Sequence, residues 1–182
     1  LVLAARGPSM PIAEAADARV PEGWRSKRGL IAVVFAFAAL VWFDSAAFAA
    51  LHLSPEAHAR VWGTDAARWS NGAAHALAAV AGGVWLDRGG LRSVLVLALL
   101  LLVGGAFVFH DDRLLGRAAG PIYASGVSLY STALAALAAL DGRRTRDSNT
   151  PEWRAAWLYA GAGWIGSAAG VGLAEDLRQL PD

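Results

Sequence analysis

The sequence predicts an all-α integral membrane protein, a bundle of about five transmembrane helices. Three observations lead there. Hydrophobic residues fill 56% of the 182 positions and charged residues only 17%, whereas an average soluble domain carries about 25% charge. The apolar residues are gathered into long runs, and a bilayer core asks for about 20 mostly apolar residues per helix. The basic residues, finally, fall unequally on the two sides that such helices would define.

Five segments have the required length. The first, about 30–52 (LIAVVFAFAALVWFDSAAFAALH), is apolar enough to be a span on composition alone. The second, about 70–87 (SNGAAHALAAVAGGVWLD), is rich in Ala and Gly and on hydropathy would equally suit a buried helix of a soluble protein. The third, about 93–109 (SVLVLALLLLVGGAFVF), and the fourth, about 118–140 (AAGPIYASGVSLYSTALAALAAL), are spans on composition. The fifth, about 155–174 (AAWLYAGAGWIGSAAGVGLA), shares the Ala and Gly bias of the second. Residues 1–29, with Pro8, Pro11, Pro21 and Gly23, read as an irregular arm, 30–174 as the bundle, and 175–182 as a short tail.

Orientation follows from charge. One side holds Arg25, Lys27, Arg28, Arg88, Arg92, Arg143, Arg144, Arg146 and Arg154; the other holds Arg60, Arg68, Arg113, Arg117 and Arg178. Nine against five puts the arm in the cytoplasm and the C-terminus outside, in an inner, cytoplasmic membrane of bacterial type. Most tryptophans fall near the ends of the spans, where an aromatic belt would sit. The chain has no cysteine, which excludes disulfides, thiolate metal sites and iron–sulfur clusters within it. Nothing matches a hydrolase triad, a P-loop or a dinucleotide fingerprint, so no enzymatic activity is expected. The basic loop "DGRRTRDSNT" suits anionic lipid headgroups, not nucleic acid.

The turn between the second and third spans is the densest cluster of glycine and charge. Its run Gly83-Val-Trp-Leu-Asp87-Arg88-Gly89-Gly90-Leu-Arg92 resembles the G-x-x-x-D-R-x-G-R-K signature of the major facilitator superfamily (MFS), with Leu91 in place of the first basic residue. The resemblance implies that Gly83, Asp87, Arg88, Gly90 and Arg92 form a conformational latch for alternating access. Gly83 would let a neighbouring helix approach, and Gly90 would give the turn backbone freedom. The bland reading of the same residues is a positive-inside helical hairpin. A polar arm before the first span is similar to the link between facilitator halves. The chain then looks like a C-terminal half that lacks its last helix, either a part of something longer or a reduced subunit. The run "WLYAGAGWIGSAAGVGL" resembles facilitator-like proteins associated with c-type cytochromes.

Ionisable groups inside spans are costly and usually functional. Asp44 lies two-thirds along the first span and His75 lies at similar depth in the second, where an Asp–His pair would bind and release a proton near neutral pH. The bland reading is a helix–helix hydrogen bond. Asn71, Ser125, Ser128, Ser131 and Thr132 are read as packing, with Tyr123 and Tyr130 as the candidates for a substrate path beside Asp44 and His75. Gly166 and Gly170 form a G-x-x-x-G pair for helix packing, within the bundle or on another subunit. His52, His58 and His110 read as solvated or capping groups. No metal or cofactor is expected, since His75 is the sole deep histidine and a b-type haem takes opposed ligands.

Two functional readings remain. One is a facilitator-like half-domain that moves a small solute, with proton coupling at the Asp44–His75 pair, alongside a second half-domain or another membrane subunit. The other is a non-transporting accessory or scaffold subunit of a respiratory or electron-transfer membrane complex.

Overall fold

A long apolar stretch leaves its backbone polar groups no partner but each other, and helix is the local solution. In the computed structural model the run from Ile31 lies in helix α1, Lys27–Leu53. The structure describes residues 27–88, 90–109, 114–144, 156 and 159–178; most of the arm, His110, much of the basic loop and the end of the tail lie outside them. Among the described residues the chain is all-helical.

A short helix, α2 (Pro55–Trp62), follows α1. Ser54 caps it by accepting from the Ala57 N–H at 3.3 Å, and Pro55 occupies its first turn, where a missing N–H costs nothing. Helix α3 (Asp65–Asp87) starts in the same manner, Thr64 Oγ1 accepting from Ala67 at 3.1 Å. Helix α4 (Leu91–Val108) and the 31-residue helix α5 (Leu114–Arg144) come next. Pro121 lies inside α5 and removes one backbone donor. Close by, Ser125 Oγ donates to the Pro121 carbonyl at 2.8 Å. The last helical stretch opens as a π-helix, Ala160–Ile165, and continues as α6 (Gly166–Arg178).

These helices sort into two groups. Helix α5 packs closely on α3 and α4, while α1 packs on α6 and on the π segment; α1 touches α4 and α5 only sparsely. Helix α2 bridges the groups at one end, touching α1, α3 and α5. Arg60 of α2 also donates to the Phe109 carbonyl at 2.9 Å, at the C-terminal end of α4. Phe37, Val94 and Leu102 are fully buried, on α1 and α4.

Two helices are long and apolar enough to cross a membrane, Ile31–Leu53 and Leu91–Val108; α3 and α5 have the length with a more mixed composition. Yet only 22% of the first apolar stretch and 28% of the second are buried. Ile31, Phe35, Leu77, Val80, Leu100 and Phe107 all stand exposed.

Candidate functional site

The site is built around Asp44, halfway buried on α1. Tyr123 and Tyr130 stand seven residues apart on α5, about two helical turns, so they share one face. Both hydroxyls reach the same carboxylate. Tyr130 donates to Oδ2 at 2.5 Å. Tyr123 donates to Oδ1 and lies 2.9 Å from the Asp44 backbone carbonyl. Both tyrosines are buried. This three-residue knot is the polar link between the two helix groups, at a place where α1 and α5 otherwise touch little.

A cleft opens on each side of the knot. The cavity nearer α2 holds about 550 Å³ and is walled by Phe48, Trp62, Asn71, His75 and Tyr123 among others. The other, about 680 Å³, is walled by Val41, Tyr130, Leu134, Tyr159, Gly163 and Trp164 among others. Asp44, Ser45 and Ser167 line both, and the two serine hydroxyls are 3.1 Å apart. Asp44 therefore stands on the partition between two cavities.

His75 does not bond Asp44. Its Nδ1 lies 2.5 Å from Ser128 Oγ, while its ring stays exposed to the cleft, so the direct Asp–His pair expected from depth alone is replaced by a tyrosine pair on the carboxylate and a serine on the imidazole. The reason is lateral: α1 turns Asp44 toward α5, not toward α3. Asn71 is buried on the same wall and donates from Nδ2 to the Val61 carbonyl at 3.0 Å, leaving its Oδ1 with no partner. Among the described residues, no group of three or more His, Asp or Glu side chains is placed to hold a metal ion. Comparison with family models, curated proteins and solved structures returns no match.

The loop between α3 and α4 is tighter than its charge suggested. Asp87, Arg88 and Arg92 are exposed. The Gly90 N–H donates to the Trp85 carbonyl at 3.2 Å, with φ at −82°, a conformation any residue adopts. Glycine is required there because a side chain would run into the Trp85 indole, not because the turn needs left-handed freedom. Gly83 likewise has open space around it; the close approach on α3 is made by its neighbour Gly82, against Leu129 of α5.

Gly166 and Gly170 lie against α1 of this same chain. A Cβ at Gly166 would come 2.8 Å from the Ala38 carbonyl, and one at Gly170 would come 2.9 Å from Ala46 N. Sequence reasoning missed two further contact glycines, Gly105 and Gly126, which let α4 and α5 meet almost backbone to backbone. A small residue in an apolar helix was the available signal, and it does not say which neighbour it admits. His52 and His58 are not simply solvated: they stack with Phe48 and Trp62 at 4.4–5.8 Å between ring centroids.

Proposed function

We propose that the chain is an integral protein of an inner, cytoplasmic membrane, a facilitator-like half-domain that moves a small solute by alternating access, with proton uptake and release at Asp44. The position of Asp44 on the partition between two cavities carries this reading. Membrane embedding is supported by the exposure of the most apolar helices, since a soluble protein buries such surface while a bilayer solvates it. With Lys27 on the cytoplasmic side, the cavity nearer α2 faces outward and the Tyr159 cavity faces the cytoplasm.

The chemistry follows from the knot. Ionised Asp44 accepts two tyrosine hydrogen bonds and ties the helix groups together. A proton on the carboxyl removes the charge that makes these bonds strong. Bonds to charged groups are worth about 1.5–3 kcal/mol each and neutral ones about 0.5–1.5 kcal/mol, so protonation weakens the pair by about 2–3 kcal/mol. That shifts a two-state equilibrium by about 30- to 140-fold. Loosening the tie between α1/α6 and α3/α4/α5 is the step that lets one group rock against the other.

Because the chain has no cysteine, single reporters test the reading cleanly. Val171→Cys marks the outward cavity and Ser131→Cys the cytoplasmic one, in chain reconstituted in vesicles and treated with an impermeant maleimide on either side. Labelling from opposite sides, with Asp44→Asn shifting the ratio of the two rates, is the expected result. Labelling of both positions from one side refutes it.

A second reading, an accessory subunit of a larger membrane complex, is favoured by one observation. A Cβ at Gly83, beside exposed Val80 and Val84, would meet nothing from another helix within 4 Å. That is the surface a partner helix would use, whether from a second half-domain or another subunit. Purification in mild detergent with identification of stoichiometric partners separates the two, and a partner carrying redox cofactors favours the accessory role.

A further inference from the structure

We infer that the cavity nearer α2 binds a small organic cation, an ammonium group on an apolar body. The inference rests on reading the cleft as a solute path and adds the class of solute.

Charge comes first. Among the described residues lining the two cavities Asp44 is the one carboxylate, and no Lys or Arg lines either cavity. An anionic solute would meet a carboxylate with no fixed cation to offset it. A neutral solute would bring that carboxylate no counter-charge beyond the two tyrosine hydroxyls that already bond it. A cation is the solute that lowers the energy of the site as it enters, and a one-sign lining concentrates it there.

The remaining wall fits the same class. Phe48, Trp62 and Tyr123 supply aromatic surface. The Phe48 and Trp62 rings meet edge to face, 5.8 Å apart at 70°, and give the solute's apolar body an aromatic wall. The tyrosine hydroxyls point their protons at Asp44 and are not free to donate to a solute. The volume of about 550 Å³ sits within the ordinary range of small-ligand pockets, about 300–1,000 Å³.

The other titratable groups around the carboxylate and the aromatic wall are His52 from α1 and His58 from α2, packed on Phe48 and Trp62, His75 from α3, Tyr123 and Tyr130 from α5, and Tyr159 beside the π segment. Of these the histidines are the groups that gain a positive charge on acidification. Protonation of Asp44 or of these histidines therefore opposes the cation, so solute and proton compete.

The test uses the full chain in detergent micelles, titrated with choline and separately with 3,3-dimethylbutan-1-ol, its neutral carbon isostere. Choline is expected to bind at least about 30-fold more tightly, the discrimination a partly desolvated carboxylate gives a cation over its neutral isostere. In Asp44→Asn that preference is expected to fall to within about threefold. Equal binding of the two probes by the natural chain, or no binding of choline, overturns the inference. So does a choline preference that survives in Asp44→Asn. If Asp44→Asn does not fold, the isostere comparison in the natural chain decides alone. Opposite-sided labelling at positions 171 and 131 without a choline preference removes the cation and keeps the path; a choline preference with one-sided labelling does the reverse.

Discussion

Replacing Gly170 by Ala puts a methyl group into the contact between α1 and α6. Its carbon would sit 2.9 Å from Ala46 N and 2.9 Å from Ser45 Cβ, and closer still to the Trp42 carbonyl. Carbon contacts settle at about 3.5–4.0 Å, so the helices must part by roughly 0.5–1 Å. The obstructing atoms are backbone or Cβ, and no change of rotamer relieves them. Overpacking of this kind costs about 1–3 kcal/mol, against which Ala in place of Gly returns about 1 kcal/mol of helix propensity. The net loss is about 0–2 kcal/mol, or a fall in melting temperature of up to about 8 °C for a chain of this size. Gly172, two residues on in the same helix, has nothing within 4 Å of the equivalent position. Gly172→Ala keeps the propensity gain alone and is expected to raise the melting temperature by about 1–4 °C. Thermal unfolding followed by intrinsic fluorescence of the eight tryptophans reads both. If the two variants melt within ~1 °C of each other, the assignment of α6 to the surface of α1 is wrong.

Three more perturbations test other parts of the structure. A Cβ at Gly120 would lie 2.6 Å from Asn71 Oδ1, so Gly120→Ala is expected to destabilise by about 1–3 kcal/mol. Adding Asn71→Ala should recover at least about 1 kcal/mol of that loss, and strict additivity in the double-mutant cycle would refute the contact. Tyr130→Phe removes one donor from Asp44 and is expected to cost about 1–3 kcal/mol in denaturant unfolding; combined with Asp44→Asn the losses should be less than additive, because both act on one bond. Gly83→Leu, on the open face of α3, should leave the melting temperature of the isolated chain within about 2 °C while reducing recovery of any co-purifying membrane partner. A large drop in the isolated chain would place Gly83 inside the bundle instead.

The long helices were legible because their signal is local: an apolar run of about 20 residues is too long for a strand and reads as helix. The short helix α2 also had a local signal, Ser54 before Pro55, but it lies in a loop whose charges read as solvated. What stayed hidden was lateral. Asp44, His75, Tyr123 and Tyr130 are recognisable as polar residues in apolar helices, and the structure divides them between two clefts that share Asp44, with His75 and Tyr123 on one side and Tyr130 on the other. Which of them touch depends on how each helix is rotated about its own axis, and an alternation of Ala, Gly and Leu carries almost no information on rotation. The same ambiguity moved the close approach from Gly83 to Gly82, one residue and about 100° around the helix. The charged turn gave its place in the chain from sequence, while the reason for its glycine, the Trp85 ring, came only from packing.

The pairing of α1 with α6 has a consequence for how the chain is made. Ser45 and Ser167 meet across 122 positions, so the first helix finishes long before its main neighbour exists. At about 5–20 residues per second, the ribosome needs roughly 6–23 s to travel from the end of α1 to the start of α6. Helices α3, α4 and α5 emerge consecutively and are free to assemble among themselves during that interval. The first helix waits, with its Asp44 unsatisfied until α5 arrives and its glycine-fitted surface bare until the end. Translation speed and whatever shelters a lone apolar helix thus become part of this protein's folding requirements, and a ribosome pause before residue 166 would prolong the most exposed moment of its synthesis.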